Sequence, residues 1–266
     1  MLRDVVKAVD RRLGTEVWEG VVAGVRVAQH LALGRDRARV ALAGLRFGLG
    51  SRRPVTFSLP VGDRRVPFTV PDWAAMAVVV EVFVSNHYDD AAVALPSAVL
   101  DLGGHIGAAA LFFRGRYPEA RIVSVEASPQ LVGLLRRNTA GLGIEVVHAA
   151  VAGSAGTATF HESPESWAGS IGAGVGRAVE VPAVTRDELL AEHAIDAVKM
   201  DVEGAEFDVV AAARRLDVAT TYWGEVHATA DDERTQRMLA AFSAFAVDVH
   251  DDGDVTLFTA VRSSCA

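Results

Sequence analysis

Val99-Leu100-Asp101-Leu102-Gly103-Gly104-His105-Ile106-Gly107 passes from aliphatic residues straight into glycines. That is the pattern of a buried strand turning into a helix. Glycines at such a corner let the backbone come close to a ligand. A dinucleotide-binding corner would need glycines at 102, 104 and 107, but position 102 is leucine. An acid, Asp101, stands at the strand end. A diphosphate at this corner would meet a repelling carboxylate, whereas a donor with cationic sulfonium and amino groups would be attracted to it. The donor's own carboxylate would be received by the backbone N–H groups of the turn. S-adenosylmethionine, with S-adenosylhomocysteine as its product, has those charges, and Asp101, Gly103, Gly104, His105 and Gly107 are the residues expected around its methionine part.

From this corner outward, short β-branched runs alternate with helical patterns, the signature of a parallel sheet with crossover helices. Strands are expected at 98–102, 121–126, 145–150, 194–201 and 221–227, and helices at 105–117, 129–141, 205–216 and 229–244. Residues 247–250 and 255–259 flank Asp251-Asp252-Gly253-Asp254, a turn sequence that predicts a hairpin. The fold is therefore read as α/β, a Rossmann-like methyltransferase sheet that is mostly parallel, seven-stranded and closed by an antiparallel hairpin. The long connection 153–190 reads as a second hairpin, 157–161 against 179–184. Its tip, 166–176, contains Trp167 and several glycines, as in a loop able to close over a ligand or in a plain flexible surface loop.

The N-terminal part differs. Leu2, Val5, Val6, Val9 and Leu13 fall on one helical stripe, Val17, Val21, Val25 and Ala28 continue helical spacing, and 37–49 adds a third helix. Strands at 55–59 and 66–70 come next, and Pro71-Asp72-Trp73 opens a helix running to about Val84. Residues 1–70 are thus expected to form a helical appendage with a short hairpin, and 71–266 the S-adenosylmethionine-dependent methyltransferase domain.

The chain has 266 residues, 26 Lys+Arg against 34 Asp+Glu and a formal net charge of −8. Its one cysteine, Cys265, leaves no intrachain disulfide and no zinc cluster. Apolar runs are too short for a membrane span, and the N-terminus lacks a secretory pattern, so a cytoplasmic location is expected. Residues 1–65 carry 13 basic and 6 acidic residues, and residues 66–266 carry 13 and 28. So acidic a body excludes a general nucleic-acid binder. The basic stretch 35–65 reads as a solvated face or as a seat for an anionic partner. The first helix can dock on its own body or pair with a second subunit as a homodimer.

Glu126 ends the second body strand, where a carboxylate can accept both ribose hydroxyls of an adenosine ligand. The other reading is an acid near the N-terminus of the helix opened by Pro129. Ala127 and Ala150, at neighbouring strand ends, are expected beside the adenosine. Asp201 ends the fourth body strand and should face the ligand crevice of an open parallel sheet. Glu203 and Glu206 read as first-turn acids that favour a helix dipole. Glu225 and His227, two apart on a strand, leave the same face. His227 oriented by Glu225 is the expected base toward an acceptor, with Asp201 as second candidate. Asp201, Glu203, Glu225 and His227 are also a possible hard-cation set, though carboxylates at a crevice need no metal to be explained.

Residues 99–107 together with Val125-Glu-Ala-Ser-Pro129, Val198-Lys-Met-Asp-Val-Glu-Gly-Ala-Glu206 and Glu225-Val-His227 resemble the FkbM family of S-adenosylmethionine-dependent methyltransferases. Val82-Phe83 and Tyr88 also fit the family's entry segment. The likeness covers residues 78–227 and departs from the family pattern at His105, where a small residue or Asn is usual. It implies methyl transfer from S-adenosylmethionine to a hydroxyl of a sugar or small natural product. The alternatives are N-methylation of an amide or amine, and a non-catalytic nucleotide- or partner-binding module.

Overall fold

Residues 15–90, 93–162, 170–171 and 176–262 are described by the computed structural model. The helix expected over 2–13 lies outside them, as does Trp167 with most of the 166–176 tip. By packing, the chain divides into one unit running to His87 and another from Tyr88 onward.

In the first unit, helices α1 (Thr15–His30) and α2 (Arg35–Gly48) pack backbone against backbone. A Cβ on Gly24 would lie 2.7 Å from the Gly44 Cα, and one on Gly44 would lie 2.4 Å from the Gly20 carbonyl oxygen. Only glycine allows this approach. Strands β1 (Val55–Val61) and β2 (Arg64–Val70) form a hairpin in which Phe57 faces Phe68, ring edge to ring face at 6.1 Å. Asp72 then caps α3 (Trp73–Phe83) by accepting the Ala75 N–H at 2.9 Å. Because α3 packs on α1, it groups with the first unit, so the division falls at 87/88 and not after 70.

The second unit contains β3 (Ala98–Leu102), α4 (Ala108–Arg116), β4 (Arg121–Glu126), α5 (Pro129–Asn138), β5 (Ile144–His148) and β6 (Ala150–Val151). It continues with β7 (Gly156–Glu162), β8 (Ser170–Ile171), β9 (Arg177–Val184), α6 (Arg186–His193), β10 (Ala197–Met200) and α7 (Glu206–Ala212). It ends with β11 (Thr221–Val226), α8 (Glu233–Ala240), β12 (Phe245–Asp252) and β13 (Val255–Arg262). The seven-stranded sheet runs β12-β13-β11-β10-β3-β4-β5, and all of its strands run the same way except β13, which is antiparallel to both of its neighbours, β11 and β12. This is the expected Rossmann-like α/β fold. Every residue of β3 and β10 is buried, as expected of central parallel strands covered on both faces. Leu100, Leu102, Val123, Val125, Val198, Met200, Tyr222 and Phe258 belong to one core cluster.

Several elements depart from the sequence reading. The strand expected at 145–150 breaks at Ala149, and β6 joins a separate sheet of order β6-β9-β7-β8. Helix α6 was missed, although Thr185 and Glu188 form a reciprocal capping box before it. The strand expected from 194 starts at Ala197, because Ala194 takes a left-handed turn that ends α6. No helix among the described residues is long and apolar enough to cross a membrane.

Gly224 on β11 faces Phe258 on β13, and a Cβ there would fall 1.9 Å from the phenyl ring. Gly224→Ala should therefore cost about 1–3 kcal/mol through overpacking, measured as a lowered midpoint of thermal unfolding.

Candidate active site

Strand order reverses between β3 and β10, and the corners after these two strands touch. A Cβ on Gly103, where φ is +84°, would lie 1.7 Å from the Asp201 carbonyl oxygen. Glycine is required there by both conformation and space. The Asp201 N–H donates to the Leu102 carbonyl at 3.1 Å. His105 also has a positive φ, +49°, a region that Asn and His enter more readily than most residues. That explains how a histidine fits where the family resemblance led one to expect a small residue or Asn.

The turn's amides are spent within the protein. Gly103 and Gly104 donate to the Val125 carbonyl at 3.0 and 2.8 Å, and Gly107 to the Gly104 carbonyl at 2.8 Å. The expectation that these amides receive a ligand carboxylate is corrected accordingly. The His105 N–H donates to Glu126 Oε2 and the Ser128 N–H to Oε1, both at 2.7 Å. Ser128, not Glu126, caps α5. Burial is the main influence on the Glu126 carboxyl and pushes it up to about 7, against the two amide bonds and Lys199. Beyond it, the Ala127 carbonyl lies 3.1 Å from His148 Nε2, and Ala150 is buried with Phe160 and Val181.

Asp101 is fully buried and does not present a free charge. Its Oδ2 accepts the Ser124 hydroxyl at 2.7 Å, and its Oδ1 lies 3.3 Å from Lys199 Nζ. Burial raises its pKa, with Lys199 the chief opposing influence. Ser124, Asp101, Lys199 and Trp223 sit side by side in register on β4, β3, β10 and β11, one polar row beneath α4 that ends in Trp223 packed on Phe113 at 5.1 Å. Lys199 Nζ also reaches Asp201 Oδ2 at 3.3 Å. The sequence reading assigned Lys199 no role. Its signal was that it is one of two lysines in the chain, the other being Lys7.

The second cluster lies on the loop after β10 and the end of β11. Asp201, Glu203, Glu225 and His227 side chains are 24, 35, 21 and 27% exposed, so all four meet solvent. His227 is not oriented by Glu225, whose Oε1 is 3.9 Å from Nε2. It is held by Glu203, 3.1 Å from Nε2, and by Glu206, 3.2 Å from Nδ1. The helix begins at Glu206, so Glu203 is not in its first turn but on the loop with φ +53°. Buried Glu206 accepts the N–H groups of Val202 and Gly204 at 3.0 and 3.1 Å, one on each side of Glu203, and so fixes that conformation. Tyr88, also overlooked as a site residue, is buried beside Phe113 at 5.6 Å. Its hydroxyl is raised well above the ordinary tyrosine range by burial and feels Lys199, Asp201 and Glu225.

This geometry corrects the base assignment. Burial alone would lower the His227 pKa, but Glu203 and Glu206 override it and hold the ring at about 11. At neutral pH His227 is an imidazolium donating from both nitrogens, with no lone pair for an incoming proton. Ligand atoms of Asp201, Glu225 and His227 lie within 4.8 Å of one another, yet a metal ion bound there would have to displace the proton that His227 carries.

A family profile described as the methyltransferase FkbM domain matches residues 101–256. A methyltransferase of Sordaria araneosa, sdnD, is 28% identical over 99 residues, 36% of this chain, and the match spans 38% of that relative's length. Among solved structures, the methyltransferase FkbM of Methylobacillus flagellatus KT aligns over 92% of this chain and 60% of its own, with TM-score 0.46 and 15% identity. Fibrillarin of Aeropyrum pernix, solved with bound S-adenosyl-L-methionine, aligns over 62% of this chain and 66% of its own, with TM-score 0.42 and 18% identity.

The His227 ion pairs stabilise the fold fully below the unfolded histidine pKa of about 6.5, and that stability is lost as pH rises through about 11. The unfolding-midpoint gap between wild type and His227→Gln should therefore narrow steadily above pH 6.5, and imidazole nitrogen NMR should find His227 doubly protonated at pH 8.

Proposed function

The chain belongs to the FkbM methyltransferase family, and on that premise we propose that it transfers the methyl group of S-adenosylmethionine to a hydroxyl of a small natural product or sugar. The observation that carries the choice of donor is the corner after β3. The Gly103, Gly104, His105 and Gly107 amides are already bonded to protein oxygens, so no nest of N–H groups is left among them for a diphosphate. Carboxylates face the same crevice, which favours a cationic adenosyl donor.

The residues present fit that donor. Glu126, oriented by two amides, still has lone pairs for both ribose hydroxyls. In this reading the turn at Gly103, with His105 beside it, seats the methionine part and Ala127 borders the adenine, whereas Ala150 is fully buried with Phe160 and Val181 and offers the adenine no surface. S-adenosylmethionine supplies an electrophilic methyl carbon on a sulfonium, and transfer from it gains mostly from proximity and alignment.

Asp201 takes the acceptor's proton in this reading, with Glu225 next to it. Both are part-exposed carboxylates at the crevice. His227 keeps the loop and its carboxylates in place instead of serving as base. A second reading, N-methylation of an amide or amine, is favoured by the same part-exposed carboxylates, which would attract an ammonium and take the proton it must lose before its nitrogen can attack the methyl carbon. A binding module without catalysis has no use for a part-exposed imidazolium and carboxylate knot at the crevice. No metal ion is used, and titration with Mg²⁺ or Mn²⁺ at pH 7 should give no saturable heat.

Calorimetry should show saturable binding of S-adenosylhomocysteine and none of NAD; the reverse would overturn the donor assignment. Hydroxyl donors favour the ionised Glu126, so affinity for S-adenosylhomocysteine should rise with pH through about 7. Glu126→Gln should bind about tenfold more weakly and lose that pH dependence.

A further inference from the structure

We propose that Lys199 is a positioning residue for the methyl donor, tying the corner after β3 to the corner after β10 so that Asp201 is fixed beside the glycine turn. The proposal rests on the reading of that crevice as the donor site.

Lys199 is 2% exposed, and its ammonium is surrounded by four oxygens from the end of β3 and the corners that follow β3 and β10. Nζ donates to the Gly103 carbonyl at 2.7 Å and the Leu102 carbonyl at 3.3 Å, and pairs with Asp101 Oδ1 and Asp201 Oδ2, each at 3.3 Å. A counter-ion for Asp101 alone would not need the other contacts. Asp101 already has the Ser124 hydroxyl, and a neutral pair of similar volume would fill a sheet interior at lower desolvation cost. What the ammonium adds is a link between chain segments. It holds the Gly103 peptide in the orientation that presses against the Asp201 carbonyl, and it fixes the Asp201 side chain that reaches the crevice. One charge therefore sets both the turn beneath the donor and the carboxylate beside it. Burial of the group in the middle of the polar row prevents water from taking over either contact.

The two roles separate in the double variant Asp101→Asn with Lys199→Met, which removes the buried carboxylate together with its counter-ion. If Lys199 acts through Asp201 and the turn, the variant keeps a thermal midpoint within a few degrees of wild type but binds S-adenosylhomocysteine about tenfold more weakly or worse, by calorimetry. Affinity within twofold of wild type would reduce Lys199 to a counter-ion and overturn the proposal. Should the double variant not fold, the wild-type chain supplies the second measurement. Lys7 and Lys199 are its only lysines, so selective ¹⁵Nζ-lysine labelling gives two ammonium signals, assigned with Lys7→Arg. Saturation with S-adenosylhomocysteine should move the Lys199 signal and leave that of Lys7 in place; an unmoved Lys199 signal contradicts the proposal. Wild type that fails to bind S-adenosylhomocysteine would instead overturn the donor reading itself.

Discussion

An ammonium group that does not meet solvent has to be surrounded by oxygen, and the need to supply that oxygen organises this sheet. Lys199 gathers carbonyls and carboxylates from two strand ends that are far apart in sequence and adjacent where strand order reverses. In open α/β sheets the ligand crevice opens at that reversal. The close approach of Gly103 to Asp201 comes from the same requirement, since a side chain at 103 would hold the two corners apart.

A second charge balance governs the rim. Glu206 is buried, and its Oε1 receives two loop amides and the His227 ring. That one oxygen fixes the backbone on both sides of Glu203, which then closes on His227 from the other edge of the ring. The resulting knot holds its carboxylates in place before any ligand arrives. Preorganisation of this kind is what a displacement reaction draws on most.

The parts of the fold that were legible in the sequence are those where burial dictates composition. Strands β3 and β4 were placed to the residue because they are covered on both faces and consist of aliphatic runs with clear ends. Pro129 marked the start of α5, although its cap is Ser128 and not Glu126, and Asp252-Gly253 marked the last hairpin. The helix expected over 205–216 was drawn too long, since spacing alone did not show that α7 ends at Ala212 and gives way to a short 3₁₀ turn at Leu216–Val218. The site was legible at the level of individual residues but not of their pairings. Two-residue spacing singled out Glu225 and His227, which lie 3.9 Å apart although β11 ends at Val226, yet the closer partners that determine the state of the ring, Glu203 and Glu206, come from the neighbouring loop and helix start. Asp101 was read as a free charge because its counter-ion lies 98 positions further along the chain and only sheet register brings the two together.

The contact between α1 and α2 has a consequence for how this chain tolerates change. Gly20, Gly24 and Gly44 set the distance between the two helices through main-chain atoms, so the pair does not depend on an interlocking set of large side chains. Leu42 and Leu45 on α2 and Leu49 just after it are exposed. Natural drift can therefore rewrite the outer face of the pair at little cost to its architecture, whereas the three glycines should be nearly immovable.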